Sequence, residues 1–382
     1  MKLSIENFKN FLQNHKKPVI ITLSIIAVLL IVFIVAKFSQ TPATEAIKLE
    51  QPPVAVESNT AENHIPIQNV ASSKNRKNLP VPFSKRIQTP PINDIKIDQS
   101  GNVWLATNSG VYKLSNNELT AYTNQNNKFP FPQAECIECL QNEIFAGSLY
   151  GLCKLSKNDV FKNESDKYPL PSKVILSILW DNSNLWLATT KGVVFKNSNN
   201  QIDCLTKDST NNGLKSDWCT RLLQFNQYLA VANDSGLSIW NIQYPAANPT
   251  VWKNLEHTKT NIPRPINDIA FDGNNIWLAT PSGLILLKTS MKQLYDFSRE
   301  SISYTEPNGL PSSKINTMVY HKNSLWLGTA KGLARFRNNQ IQTISPLSGE
   351  NPEEIRKLAV HGDILWIGTA NGIQYINTAV VD

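Results

Sequence analysis

One phrase organises this chain. Val103-Trp104-Leu105-Ala106-Thr107, followed by Gly110, returns as Leu185-Trp186-Leu187-Ala188-Thr189 with Gly192 and as Ile276-Trp277-Leu278-Ala279-Thr280 with Gly283. It comes again as Leu325-Trp326-Leu327-Gly328-Thr329 with Gly332 and Leu365-Trp366-Ile367-Gly368-Thr369 with Gly372. Two worn copies fill the gaps, Ile144-Phe145-Ala146-Gly147-Ser148 with Gly151 and Leu229-Ala230-Val231-Ala232-Asn233 with Gly236. The seven glycines stand 41, 41, 44, 47, 49 and 40 residues apart. A period of this length, sustained seven times, means a repeat architecture.

The first unit shows what is repeated. Residues 92–97 read as a strand, 98–102 as a turn, 103–107 as a second strand, 111–114 as a third and 119–122 as a fourth, with Asn116-Asn117 as the last tight turn. Such a four-stranded antiparallel sheet carries apolar side chains on both faces, so it needs a neighbour on each side. Seven sheets arranged radially supply them, and the fold class is all-β, a seven-bladed β-propeller over residues 84–382. The last unit ends without the turn that introduces a fourth strand. Arg86-Ile87-Gln88-Thr89 resembles Gln340-Ile341-Gln342-Thr343 of the sixth unit. Residues 84–89 are therefore predicted to close the last blade, which removes an open edge.

The N-terminal quarter has another character. Pro18 to Ala36 are nineteen uncharged residues, enough for a transmembrane helix across a hydrocarbon core of about 30 Å. A cleaved signal peptide is the alternative, although its apolar region is usually about 7–15 residues long. Lys2, Lys9, Lys16 and Lys17 precede the segment and place residues 1–17 in the cytoplasm. The propeller then lies outside, periplasmic or extracellular, on a single-pass membrane protein. Residues 37–83, rich in Pro, Ala, Glu, Ser, Asn and Gln, read as a flexible, disordered linker. Lys74, Arg76, Lys77, Lys85 and Arg86 give its end a basic cluster, open to two readings: attachment to anionic surfaces or a solvated tail. The net charge of +7 lies mostly before residue 91, and the nearly neutral repeats give nucleic-acid binding no support.

A second phrase joins the units: Asn308-Gly309-Leu310-Pro311-Ser312-Ser313-Lys314-Ile315, echoed at Asn212-Gly213-Leu214 and Leu170-Pro171-Ser172-Lys173-Val174. Together with Ile-x-x-Ile-x-x-Asp, at Ile92, Ile95 and Asp98 and at Ile266, Ile269 and Asp272, and with the tryptophan phrase, it resembles the two-component regulator propeller repeat family. The resemblance covers residues 86–382. It implies an extracytoplasmic seven-bladed propeller of the kind placed before a membrane helix and a histidine kinase to sense ligands. Here the apolar segment precedes the repeats and no kinase, cyclase or DNA-binding sequence follows them, so signalling would need a partner.

Trp104, Trp186, Trp277, Trp326 and Trp366 form one column of the repeat and read as packing between blades. Gly110, Gly192, Gly283, Gly332 and Gly372 read as turn residues. Asp98, Asp181 and Asp272 read as Asx-type turns, not calcium ligands, and His321 and His361 occupy the same turn position. Cys136-x-x-Cys139 has redox spacing but falls on a strand. Cys204 with Cys219, or Cys153 with Cys136 or Cys139, are candidate bridges in an oxidising compartment.

No catalytic motif, metal set or cofactor loop is legible. Function is therefore read as a ligand-binding, sensory or protein-interaction module without chemistry of its own. A structural scaffold in an envelope assembly and a channel-mouth hydrolase or lyase are the alternatives. The loops that join each outer strand to the next inner strand share a face with the turn between second and third strands. Tyr150, Lys191, Trp218, Arg221, Arg264 and Lys331 fall there and are the candidate ligand-binding residues, suited to an anionic or sugar-like small ligand, a glycan or an extended peptide of a protein partner.

Overall fold

A computed structural model describes residues 67–69, 77–141, 143–260, 262–289, 297–346 and 352–381. The tail over 1–17, the membrane helix over 18–36 and the first part of the linker lie outside these residues. Among the described residues no helix is long and apolar enough to cross a membrane.

Seven antiparallel sheets follow one another along the chain. The first comprises Ile92–Ile97, Val103–Thr107, Gly110–Ser115 and Glu118–Tyr122. The first strands of blades 2 to 7 are Cys136–Leu140, Ile175–Trp180, Cys219–Phe225, Asp268–Phe271, Ile315–His321 and Ile355–His361. Each packs against the next, and Ile355–His361 packs against Ile92–Ile97, so the ring is closed. Ile92 pairs with Thr107 and Val111 with Tyr122. First-strand starts, the turns between second and third strands and fourth-strand ends therefore share one face, called here the mouth face.

The core sits between blades. Trp277, Ala279 and Leu284 of blade 5, for example, form one buried cluster with Ile315, Leu325 and Leu327 of blade 6. Trp104, Trp186, Trp277 and Trp326 are buried and Trp366 is half-buried. Their indoles are not merely packed. The Nε1 of Trp104, Trp186 and Trp277 donates to Oδ2 of Asp98, Asp181 and Asp272 at 2.8, 2.8 and 2.7 Å. Oδ1 of each aspartate accepts the backbone N–H groups of its own turn, as an Asx turn requires. One carboxylate thus ties the turn to the tryptophan. Where His321 and His361 replace the aspartate, Trp326 carries the Arg335 guanidinium 5.7 Å above its ring and Trp366 packs on Tyr375 at 5.0 Å.

Burial acts to raise the Asp98 carboxyl, but hydrogen bonds from Trp104, Asn102 and Ser100 outweigh it and hold it below the usual carboxylate value. A lowered native value stabilises the fold above the unfolded carboxyl's titration range, and that stabilisation is lost as pH falls through the native one. Asp98→Asn should accordingly lower the melting temperature at pH 7 and by a smaller margin near pH 3, in paired thermal melts.

The closing Thr-x-x-Gly of the phrase is also physical. Thr107 Oγ1 donates to the Gly110 carbonyl at 2.9 Å and accepts the Ser109 N–H, and the pattern recurs at Thr189, Thr280, Thr329 and Thr369. Gly110 has φ of 112°, and a Cβ there would run into the Tyr122 carbonyl.

The linker reading needs correction. Its described part holds two strands, β1 (Ile67–Asn69), parallel to Phe297–Tyr304 of blade 5, and β2 (Lys77–Val81), parallel to Gln340–Pro346 of blade 6. Outer strands leave a row of backbone groups open to such pairing. Val81 is buried, and Leu79 and Phe83 pack beside it against the cluster holding Trp326, Leu333 and Ile344. The alternation Leu79-Pro80-Val81 is too short to stand out in a polar stretch. Beyond it, the Ser84 and Ile87 amides donate to the carbonyls of Tyr375 and Ile373 at 2.9 Å each, and Ile373 returns a bond to Ile87. Arg86 pairs with Glu353 at 2.8 Å and is thereby taken out of the basic cluster.

Candidate functional site

The mouth face is built by a device repeated in the first strands. In five of them the register slips at one residue: Asn93, Leu176, Thr220, Asn316 and Arg356. A bulge of this kind re-aims its side chain. Asn93 Nδ2 reaches the Ala134 carbonyl of blade 2 at 2.9 Å, and Asn316 Nδ2 reaches Ile355 of blade 7 at 2.8 Å. Asn267, at the same position of blade 5, reaches Ile315 of blade 6 at 2.7 Å, and Arg356 Nε reaches Ile92 of blade 1 at 2.7 Å. Four successive joints, from blade 5 round to blade 2, are clamped in this way.

The next residue completes the clamp in the other sense. Asp94 Oδ2 accepts the Ile137 N–H of blade 2, Asp268 Oδ2 the Met318 N–H of blade 6, both at 3.1 Å, and Thr317 Oγ1 the Leu358 N–H of blade 7 at 3.4 Å. Ile-Asn-Asp-Ile at 92–95 and 266–269, and Ile-Asn-Thr-Met at 315–318, are the sequence trace of this device. Deeper in the ring Lys357 pairs with Asp94 at 3.3 Å and Lys96 with Glu138 at 2.7 Å.

Blades 2 to 4 break the pattern. Among the described residues Glu135, Leu176 and Thr220 occupy the clamp position without such a bond, and it is the neighbouring Cys136 Sγ that reaches the Ile175 carbonyl of blade 3, at 3.8 Å. In blade 4, Arg221 stands where Asp94 and Asp268 stand elsewhere and points back, its Nη1 donating to the carbonyls of Leu176 at 3.3 Å and Thr220 at 2.7 Å. Its Nε is buried without a partner.

Residues of all seven blades line a cavity of about 390 Å³ at this mouth. Its polar wall comprises Asn93, Glu135, Arg221, Asn267, Lys314, Asn316, Glu354 and Arg356. Lys314 pairs with Glu354 at 2.6 Å. That hydrogen bond holds the Glu354 carboxyl below the usual range.

Of the six residues chosen from sequence, Arg221 lines the cavity. Lys191, Trp218 and Arg264 form a rim across blades 3 to 5: the Gly192 N–H donates to Asp217 O at 2.6 Å, the Asp234 N–H to Trp218 O at 3.1 Å, and Arg264 lies 3.7 Å from Asp234. Trp218 is 55% exposed. Tyr150 is exposed beside Phe131, ring centroids 5.8 Å apart, in blade 2. Lys331 adjoins Ala330, whose N–H donates to Lys314 O at 3.0 Å. Sequence reasoning missed the clamp asparagines, Glu135, Glu354 and Arg356.

The five cysteines are all free thiols, so the candidate bridges are not formed. Burial pushes Cys139 up to about 12 and Cys204 up to about 11, and raises the other three further. The native protein should react slowly with Ellman's reagent at pH 8 and release five equivalents of thiol only on denaturation.

Among the described residues no group of three His, Cys, Asp or Glu side chains is placed to hold a metal ion. The fold with its polar mouth defines a closed seven-bladed propeller. No family model and no curated protein matches the chain. Among solved structures it is similar to the extracellular domain of the hybrid two-component system BT3049 from B. thetaiotaomicron, with a TM-score of 0.61, 19% identity and 78% of this chain covered. It is also similar to PorZ, a surface component of the type-IX secretion system of Porphyromonas gingivalis (TM-score 0.59, 17% identity, 76% covered). A third is virginiamycin B lyase from Staphylococcus aureus (TM-score 0.55, 15% identity, 77% covered). The match spans 42% of the BT3049 chain, 47% of the PorZ chain and 98% of the lyase chain. The propeller is thus a fold shared with extracellular sensor domains, in keeping with the repeat family that the sequence resembles.

Proposed function

We propose that this chain is a membrane-tethered, extracytoplasmic recognition module that binds a ligand or partner at its mouth face and performs no chemistry there. The observation that carries the reading is the interrupted clamp. Blades 5, 6, 7 and 1 spend the clamp position on holding the ring, whereas blades 2 to 4 present Glu135, Leu176 and Arg221 to the same cavity. Polar side chains around a concave site suit recognition. The likeness to the BT3049 sensor domain and the apolar segment over 18–36 support the extracytoplasmic placement.

A hydrolase or lyase at the mouth finds less support. Glu354 is held ionised by Lys314, His321 and His361 end their strands at the opposite face, and His257, which follows the fourth strand of blade 4, does not line the cavity. The likeness to PorZ keeps a scaffold role in an envelope assembly as the second reading.

A thermal-shift screen of the full-length protein against saccharides, small anions and peptides tests this, because a ligand of the native state alone must raise its melting point. The reading expects a hit that Lys314→Ala combined with Glu354→Ala weakens and that His361→Ala, at the opposite face, leaves unchanged. A silent screen, or a hit indifferent to the mouth variant, would favour the scaffold.

A further inference from the structure

We propose that the mouth takes a small dicarboxylate, one carboxylate on Arg221 and the other on Arg356; this rests on the mouth being the recognition site. Both arginines line the one cavity of about 390 Å³. Blades 4 and 7, which carry them, face each other across the ring, with two blades between them on one side and three on the other.

Among the described residues neither guanidinium is in an ion pair, although the charge of Arg356 helps to hold the Glu354 carboxyl down. Arg221 donates to the carbonyls of Leu176 and Thr220, and Arg356 to the Ile92 carbonyl and, at 2.9 Å, to Asn93 Oδ1. Hydrogen bonds to a carboxylate are about twice as strong as bonds to such neutral oxygens, and the planar guanidinium fork fits a carboxylate in two-point fashion. The Arg221 Nε is buried without an acceptor, so the terminal Nη groups are the ones left to meet a ligand.

The remaining charges narrow the class. Lys314 is already neutralised by Glu354. Glu135 accepts from Gln133 and adds negative charge to the wall. A polyanion would meet both carboxylates, whereas a ligand charged only at its two ends places them beside the arginines and a neutral middle elsewhere. Asn267 and Asn316, on the blade 5 and 6 side, add no charge to the wall there.

Isothermal titration of the full-length protein with succinate, glutarate and adipate, each against the monocarboxylate of the same carbon count at equal ionic strength, tests the proposal. At least one dicarboxylate should bind ten times more tightly than its monocarboxylate, and Arg221→Gln should abolish that difference while Arg221→Lys retains part of it. Arg356→Gln should do the same. Because Arg356 also clamps blade 7 to blade 1, its fold is checked by circular dichroism, and Arg221→Gln decides alone if Arg356→Gln is unfolded. Equal binding of mono- and dicarboxylates, an unchanged Arg221→Gln, or no binding by any of the acids overturns the proposal. Should the acids fail while a ligand from the thermal screen still depends on Lys314 and Glu354, only the dicarboxylate falls. A ligand indifferent to those residues removes the mouth reading itself.

Discussion

Trp277→Ala is expected to cost about 3–5 kcal/mol of stability, the range for removing a large aromatic from a core. The ring is 4% exposed and stands 4.9 Å from Phe336 and 6.2 Å from Tyr304, centroid to centroid. Its loss opens a cavity between blades 5 and 6, where Leu325 and Leu327 share its cluster. It also strips the indole donor from Asp272 Oδ2. Trp277→Phe separates the two effects: it keeps most of the packing and should cost about 1–3 kcal/mol, the range for a polar group deprived of its partner. Urea unfolding of the full-length protein measures both. A loss under about 1 kcal/mol for the alanine variant would mean that the tryptophan column does not hold adjacent blades together, against its expected share of a typical stability of about 5–15 kcal/mol.

Deleting residues 77–89 should have a still larger effect, because it acts on the joint where the segment before the first blade meets the last blade. The deletion removes the five register pairs of β2, the buried Val81, the Arg86–Glu353 ion pair and the bonds of Ser84 and Ile87 to blade 7. It uncovers the edges of Gln340–Pro346 and Ile373–Asn377 together, and open edges invite aggregation. A fall in melting temperature on the order of 10 °C or more, with loss of soluble protein, is expected from the summed burial and hydrogen bonding. Val81→Asp alone, which sets a charge among Trp326, Leu333 and Ile344, should reproduce much of it. Arg86→Ala, at a part-exposed pair, should cost about 1 kcal/mol or less. Unchanged melts for both the deletion and Val81→Asp would show that the three-stranded last blade closes the ring without help.

The blades were legible because each carries its own punctuation: alternating apolar residues, Asn-rich turns and a glycine that no other residue can replace. Gly110 is one instance, and Gly372, where a Cβ would meet the Ile87 carbonyl, is another. The mouth was less legible for a physical reason. Ile-Asn-Asp-Ile reads as an ordinary alternating strand, and only the bulge at Asn93 turns its polar residues on the next blade. Trp218 and Tyr150 follow from loop position alone, yet the cavity wall is made by half-buried Asn, Glu and Arg side chains whose partners lie some forty residues away or at the other end of the chain. Asp98 was half read: its turn was evident, whereas its bond to Trp104 depends on the antiparallel partner strand bringing the indole back beside it. The short strand β2 was hidden by its polar surroundings, since its pairing partner is more than two hundred and fifty residues further on.

Hydrogen–deuterium exchange of the full-length protein, with and without the ligand found by the thermal screen, tests the central claim most directly. The account predicts slower exchange on binding at the first-strand starts around residues 92–94, 134–136, 219–221, 315–317 and 355–357, with the turns at 98–102, 181–184 and 272–275 unaffected. Protection confined to those turns, or to the outer strands of the blades, would contradict recognition at the mouth.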